Sequence, residues 1–479
     1  MDKKTASNFI YNLIYQIISV ITPLATTPYI ARVLGAEGVG VYSYTSTIAL
    51  TFALFAALGA NTYGQREIAM RQHNEQARSK VFWELFILRA VLSLGVMLAY
   101  VVFCFMYNTY TVFLLQAAFI VVSVMFDVSW LYMGMENFKI IASNNIMVKL
   151  ATVVCVFLFV RKPEDVGIYI LINSVSALVT TSYFLLFLPR YVKRVPIAQL
   201  DILRHLSGVI QYFIPIIAVQ IYSQIDKLML GAMGNNPSEN GYYEQARKLT
   251  NLVVVITTAL NTVLLPRLSN LYGRDEKKAM VDTYQETFRF TLLLLIPIVV
   301  GLFMISDTFI LWFLGPDFVK TSLLLKWSCP LIALMTVGNF LGMQYLSPTG
   351  QQGKMSMIYL AAAAVNVVLN AVMIPRMLSE GAIIASVAAE AVSCGAQVWL
   401  LKKSEYNFRM LKGVWKYAVA AAVMAAVIYF FNSHTTIAGA VMTFTDIVLG
   451  AAAYFAVLIA LREGTVTSFT DKVLSKLKK

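Results

Sequence analysis

Runs of about twenty apolar residues recur from one end of this 479-residue chain to the other, and most of them are nearly free of charge. A helix needs a run of that length to cross a hydrocarbon core of about 30 Å at 1.5 Å per residue. Lipid offers no partner for backbone N–H or C=O groups, so only helices and closed barrels can span it. The runs are continuous rather than alternating, which selects helices. Fourteen spans are predicted, at 9–31, 41–61, 82–106, 111–133, 140–160, 166–189, 207–231, 247–266, 288–306, 322–346, 355–375, 381–401, 414–431 and 438–461. No loop exceeds about 20 residues, so no soluble domain is expected on either side. Charged residues make up 13% of the chain, against about 25% in a soluble domain. A soluble enzyme, a disordered chain and a fibre are excluded.

The net charge of +13 would suggest nucleic acid in a soluble protein. Here the position of the charges gives another reading, because cytoplasmic loops collect Lys and Arg. Of the 38 Lys and Arg, 25 fall in the two termini and the even-numbered loops and 5 in the odd-numbered loops. The bias predicts that both termini lie in the cytoplasm. The first apolar run is too long for a signal-peptide core and is expected to stay as an anchor.

Cys104, Cys155, Cys329 and Cys394 all lie inside apolar runs and read as small core hydrophobes. His73, His205 and His434 share no ligand spacing, so no metal site is expected. No cofactor is implied. The sequence has no phosphate-binding Walker loop, no H-E-x-x-H and no G-x-S-x-G, and an enzyme is not expected.

The chain repeats itself. Leu34-Gly35-Ala36 and Gly40-x-Tyr42 precede Arg66; Leu230-Gly231-Ala232 and Gly241-x-Tyr243 precede Arg267. The glycine-to-arginine spacing is 26 residues in both copies. Six spans separate the copies, so the halves are parallel repeats, a transporter architecture with its site between the halves. The expected organisation is a six-helix bundle at 1–205, a second at 206–403, and two further helices with a basic tail at 404–479. Pro23, Pro28, Pro215, Pro297 and Pro330 interrupt spans and are expected to kink them.

An ionisable side chain at membrane depth costs about 2.5–3.5 kcal/mol on insertion scales and usually faces a cavity. Arg89 and Lys149 lie nearest mid-span and are expected to line one. Lys227, Arg247 and Lys248 are further candidates, although Arg247 and Lys248 could simply begin span 8 at the surface. The acids at depth, Asp127, Asp226 and Glu390, are candidates for ion coupling; for Asp226 and Glu390 buried ion pairing is the other reading, and Asp127 could sit in the same cavity as Arg89 and Lys149. Cations outnumber anions at depth, which points to an anionic ligand such as a phosphate.

Four segments in order resemble the Wzx-type oligosaccharide flippases of the MOP exporter superfamily. They are RVLGAEGVGVYSY (Arg32 to Tyr44), FDVSWLYMGMENFK (Phe126 to Lys139), NGYYEQARKL (Asn240 to Leu249) and LLPRLS (Leu264 to Ser269). The resemblance covers nearly the whole chain. It implies an all-α polytopic membrane protein of two six-helix bundles in a V around a cationic cavity, with two C-terminal helices. The implied substrate is an undecaprenyl-pyrophosphate-linked oligosaccharide, moved from the inner to the outer leaflet. A polysaccharide polymerase and glycosyltransferases are implied as partners. A basic residue of relatives matches Arg32, which the resemblance makes a candidate ligand for the pyrophosphate. Two outward negative charges gain about 2.3 kcal/mol each per 100 mV, so the membrane potential could drive the step. Proton or sodium antiport is the other source of drive. The related lipid II flippases and multidrug antiporters are the alternatives; span 1 lacks the acid usual in the multidrug branch. A scaffold that transports nothing would leave the deep cations without a purpose.

Overall fold

The computed structural model describes residues 3–274, 276–403, 413–464 and 466–467. Regular structure among these residues is helical throughout. The α-helices are α1 (Lys3–Ala57), α2 (Ala60–Ala69), α3 (Glu75–Tyr107), α4 (Thr111–Phe126), α5 (Ser129–Gly134), α6 (Phe138–Phe159) and α7 (Val166–Tyr183), followed by α8 (Leu206–Met233), α9 (Pro237–Gly273), α10 (Lys277–Phe313), α11 (Val319–Leu341), α12 (Gln352–Lys402), α13 (Val414–His434) and α14 (Gly439–Ala460). All fourteen expected spans are helical over at least most of their length. Ten stretches of the described residues are long and apolar enough to cross a membrane. Two of these stretches hold a pair of expected spans each; α8 and α9, the helices richest in candidate charges, are not among the ten.

The structure differs from the sequence reading at the joints. Spans 1 and 2 are not separated by a loop. They run on as α1, with one non-helical residue, Gly35 (φ 67°, ψ −179°), turning the chain. A side chain is disfavoured at that φ, so glycine is the economical residue there. Spans 11 and 12 likewise form α12, turned at Leu378 (φ 53°, ψ −128°). A leucine at positive φ is strained by about 1–3 kcal/mol, so its surroundings must hold it. Span 4 is broken at Asp127 into α4 and α5. Span 8 starts well before residue 247, since α9 begins at Pro237. Span 10 ends in a π-helical turn, Gly342–Leu346.

Packing divides the chain into two compact units, Met1–Gly241 and Tyr242–Lys479. The first unit therefore keeps α8, beyond the repeat boundary expected at 205. The segment leading to α8 is bound to α3. Arg78 Nε donates to the Tyr191 carbonyl at 2.9 Å and Trp83 Nε1 to the Lys193 carbonyl at 2.9 Å. The Lys193 N–H donates to Ser79 Oγ at 2.9 Å. Below these bonds lies an aromatic core in which Trp130, 1% exposed, stacks on Phe82 at 5.3 Å.

In the second unit, α10 is the central post. Tyr284 and Phe288 pack on Phe340 of α11. Helices α13 and α14 pack on each other and on α10. Tyr454 donates to the Leu293 carbonyl at 3.2 Å, and Trp312 Nε1 to Thr443 Oγ1 at 2.9 Å. Lys416 of α13 caps α14, donating to the Leu461 carbonyl at 2.8 Å.

Candidate functional site

The break between α4 and α5 is a polar knot inside the first unit. Ending a helix there leaves carbonyl groups without intrahelical partners, and in an apolar surround each must be satisfied. Arg89, 2% exposed, does this from α3. Its Nη1 donates to the Asp127 carbonyl at 2.9 Å, and its Nη2 meets Asp127 Oδ2 at 3.2 Å. Trp130 Nε1 shares the same carbonyl at 3.2 Å. Asp127 Oδ1 accepts from the Ser129 N–H at 2.9 Å, holding the start of α5.

Asn61 completes the knot. Its Oδ1 accepts from Arg89 Nη1 at 2.5 Å and its Nδ2 donates to Asp127 Oδ2 at 3.1 Å. Arg89 Nε is buried without a hydrogen-bond partner among the described residues. Arg89 and Asp127, expected in separate roles, are partners: the charge of each offsets the burial of the other.

Asn61 also faces a cavity. Between the second half of α1 and the middle of α8 lies a space of about 460 Å³. Leu50, Leu54, Phe55, Ile216, Ile225 and Leu228 form most of its wall. Thr51, Asn61, Gln220 and Gln224 supply the polar groups. Carboxamides both donate and accept, so this wall suits an uncharged polar ligand with apolar faces. Arg89 does not line the cavity; it reaches it only through Asn61.

The other predicted residues are dispersed. Arg32 is exposed, three residues before the turn at Gly35. Lys149 is half-buried on α6 and has no partner among the described residues. Asp226 is buried on α8 and its neighbour Lys227 is half-buried. In the second unit, Arg247 and Lys248 are half-buried within α9 rather than at its start. Lys248 pairs with Glu244 one turn earlier at 3.5 Å. Glu390 is buried on α12, with Oε1 over Gly338 of α11.

Three groups of polar residues, partly or fully buried, escaped the sequence reading. Asn61 was passed over because only charged residues were weighed at depth. So were Asn366, Asn370 and Gln397, all buried in the second unit. The spacing of Asn366 and Asn370, one helical turn apart in an apolar run, was an available signal. Asp446 is fully buried on α14 beside Asn432, and it lay inside a predicted span.

The sequence profile described as polysaccharide biosynthesis protein matches residues 5–272, and the MatE profile matches residues 212–375. The "Putative O-antigen transporter" of Escherichia coli (strain K12) is 22% identical over 405 residues, covering 83% of this chain and 97% of that protein. The "Probable low-salt glycan biosynthesis flippase Agl15" of Haloferax volcanii is 21% identical over 253 residues, 53% of each chain. Among solved structures, the lipid II flippase MurJ in an inward closed conformation superimposes with a TM-score of 0.79 at 14% identity, covering 95% of this chain and 99% of that one. An inward-facing multidrug MATE transporter of the MOP superfamily gives 0.58, covering 81% and 99%. These likenesses establish the fold, a multi-pass helical membrane protein of the MurJ and MATE type. With more than half its length matched by the profile, the chain belongs to the polysaccharide biosynthesis protein family.

Proposed function

We propose that this protein moves an undecaprenyl-pyrophosphate-linked oligosaccharide from the inner to the outer leaflet of a prokaryotic plasma membrane, by alternating access. The observation that carries the reading is the match along 97% of an O-antigen transporter. The 25-to-5 distribution of loop cations supports a cytoplasmic position for both termini. It equally favours a cytoplasmic position for residues 59–84 and 190–209.

In this reading the repeat halves 1–205 and 206–403 move against each other, while 404–479 serves the lipid tail. Arg32, Lys149, Lys227, Arg247 and Lys248 are the cations offered to the pyrophosphate. Arg89 acts behind Asn61. The cavity between α1 and α8 takes part of the uncharged glycan. Asp226 and Glu390 are the acids through which a proton or sodium ion would couple, and Asp127 holds Arg89. The membrane potential favours outward movement of the two phosphate charges. A polymerase and glycosyltransferases would act before and after the step. The MatE match to residues 212–375 favours, as a second reading, export of small cations.

The test is lipid extraction from cells depleted of the protein, with mass spectrometry of polyprenyl-linked glycans. Accumulation of one lipid-linked oligosaccharide is expected. An unchanged profile with altered sensitivity to cationic drugs would transfer the assignment to the second reading.

A further inference from the structure

Glu84 of α3 is fully buried, yet four groups converge on its carboxylate. The Asp201 N–H donates to Oε1 at 2.8 Å. His205 Nε2 lies 2.9 Å and Arg204 Nη2 3.1 Å from Oε2. Lys80 Nζ stands 3.9 Å from Oε1. Arg204 Nε also stands 3.3 Å from His205 Nε2, so imidazole, guanidinium and carboxylate meet at one point. The other ring nitrogen, Nδ1, meets the Tyr63 hydroxyl at 3.0 Å. His205 is 1% exposed. Tyr63, His205 and Glu84 thus form one hydrogen-bonded chain from α2, through the entry to α8, to α3.

The chain stands at one end of the cavity. Tyr63 lies one turn after Gly59 and two residues after Asn61, the last wall residues before α2 carries the chain away. Its ring fills the space where Gly208, in the first turn of α8, would carry a Cβ. Gly59, at φ 75°, comes so near α8 that a Cβ would lie 2.7 Å from the Val209 carbonyl oxygen. Phe55 meets Phe213 at 5.7 Å and Tyr63 meets Tyr212 at 6.0 Å on the same side, so aromatic contacts and the polar chain close this end together. Polar bonds of this kind exchange for bonds to water at small net cost.

We propose that Tyr63, His205 and Glu84 form a latch that closes this mouth of the cavity, and that releasing it admits ligand between α1 and α8. The proposal rests on the function assigned above only in calling this end cytoplasmic. The latch residues position α8; they do not touch ligand. Arg78, Trp83 and Ser79 keep the incoming segment on α3, so release frees the first turn of α8 without freeing the linker.

The test uses the full chain in vesicles, with Cys104, Cys155, Cys329 and Cys394 replaced by alanine and one thiol introduced by Gln220→Cys. A membrane-impermeant maleimide is added to inside-out and to right-side-out vesicles. Tyr63→Phe keeps the ring against Gly208 and removes one hydrogen bond. Labelling from the cytoplasmic side should rise roughly two- to tenfold, the population equivalent of one net hydrogen bond. Glu84→Gln should raise it further in whatever fraction folds. A rise from the outer side alone would keep the latch and overturn the orientation. Unchanged labelling from both sides in Tyr63→Phe would overturn the latch.

Discussion

Gly40 and Gly241, the matching glycines of the two repeat copies, lie against each other. A Cβ on Gly40 would come 3.0 Å from the Gly241 nitrogen, and one on Gly241 would come 3.2 Å from the Gly40 nitrogen. Each would also strike a backbone carbonyl, of Pro237 and Ala36 respectively. The two segments that share the 26-residue spacing therefore meet at these glycines, and neither leaves room for a side chain on the other. Gly40→Ala and Gly241→Ala are each expected to destabilise the protein by about 1–3 kcal/mol, because backbone rather than a flexible side chain must give way. Thermal unfolding in detergent measures this. Alanine variants as stable as the parent would show that the helices do not meet there.

The Arg89–Asp127 pair makes a prediction about coupling. Removing one member leaves the other charged and buried, at a cost of about 3–5 kcal/mol. Removing both should be less costly than the sum of the two single losses. Arg89→Ala, Asp127→Ala and the double variant form the cycle, read by thermal unfolding. Additive losses would mean that the two side chains do not share one polar knot. Arg89→Lys should resemble Arg89→Ala, since an ammonium cannot reach Asn61, the carbonyl and the carboxylate together.

Lys149 offers the opposite case. It is half-buried with no partner among the described residues, so its charge lacks a local offset. Lys149→Met keeps the stem and removes the charge; stability should hold or rise, while transport should fall if the amine meets phosphate. Glycan accumulation in cells reads transport and thermal unfolding reads stability. Full transport by the methionine variant would remove Lys149 from the site.

Asp165 predicts a pH response. It lies in the turn before α7 and accepts the N–H groups of Arg161 and Lys162 at 2.8 and 2.9 Å. These bonds favour the carboxylate and hold its pKa below the ordinary 3.8. Its contribution is therefore complete above that value and is lost as pH falls through the lower, folded value. Hydrogen exchange at Arg161 and Lys162, corrected for intrinsic rate, should lose protection in that acid range. Asp165→Asn should remove the pH response, and a response that survives it would place the cause elsewhere.

Much of the fold was legible because lipid makes a local demand. A span must satisfy its own backbone, so its position follows from its own residues. The joints were less legible. Gly35 looked like a loop residue but turns a continuing helix, and Asp127 looked like a deep charge but ends one. The sequence marked Arg89 and Asp127 as unusual, but their partnership depends on α3 passing the break between α4 and α5. Asn61 carried no charge and was invisible until both of its neighbours were in place.

The sequence by itself determined that the chain is a bundle of membrane helices and where most of them run. Those properties rest on length, hydropathy and spacing, which each segment carries alone. The tertiary structure alone decided which buried charges meet, that Asn61 joins them to a cavity, and that Glu84 fastens the entry to α8. Those properties depend on distances between residues far apart in the chain, which only packing sets.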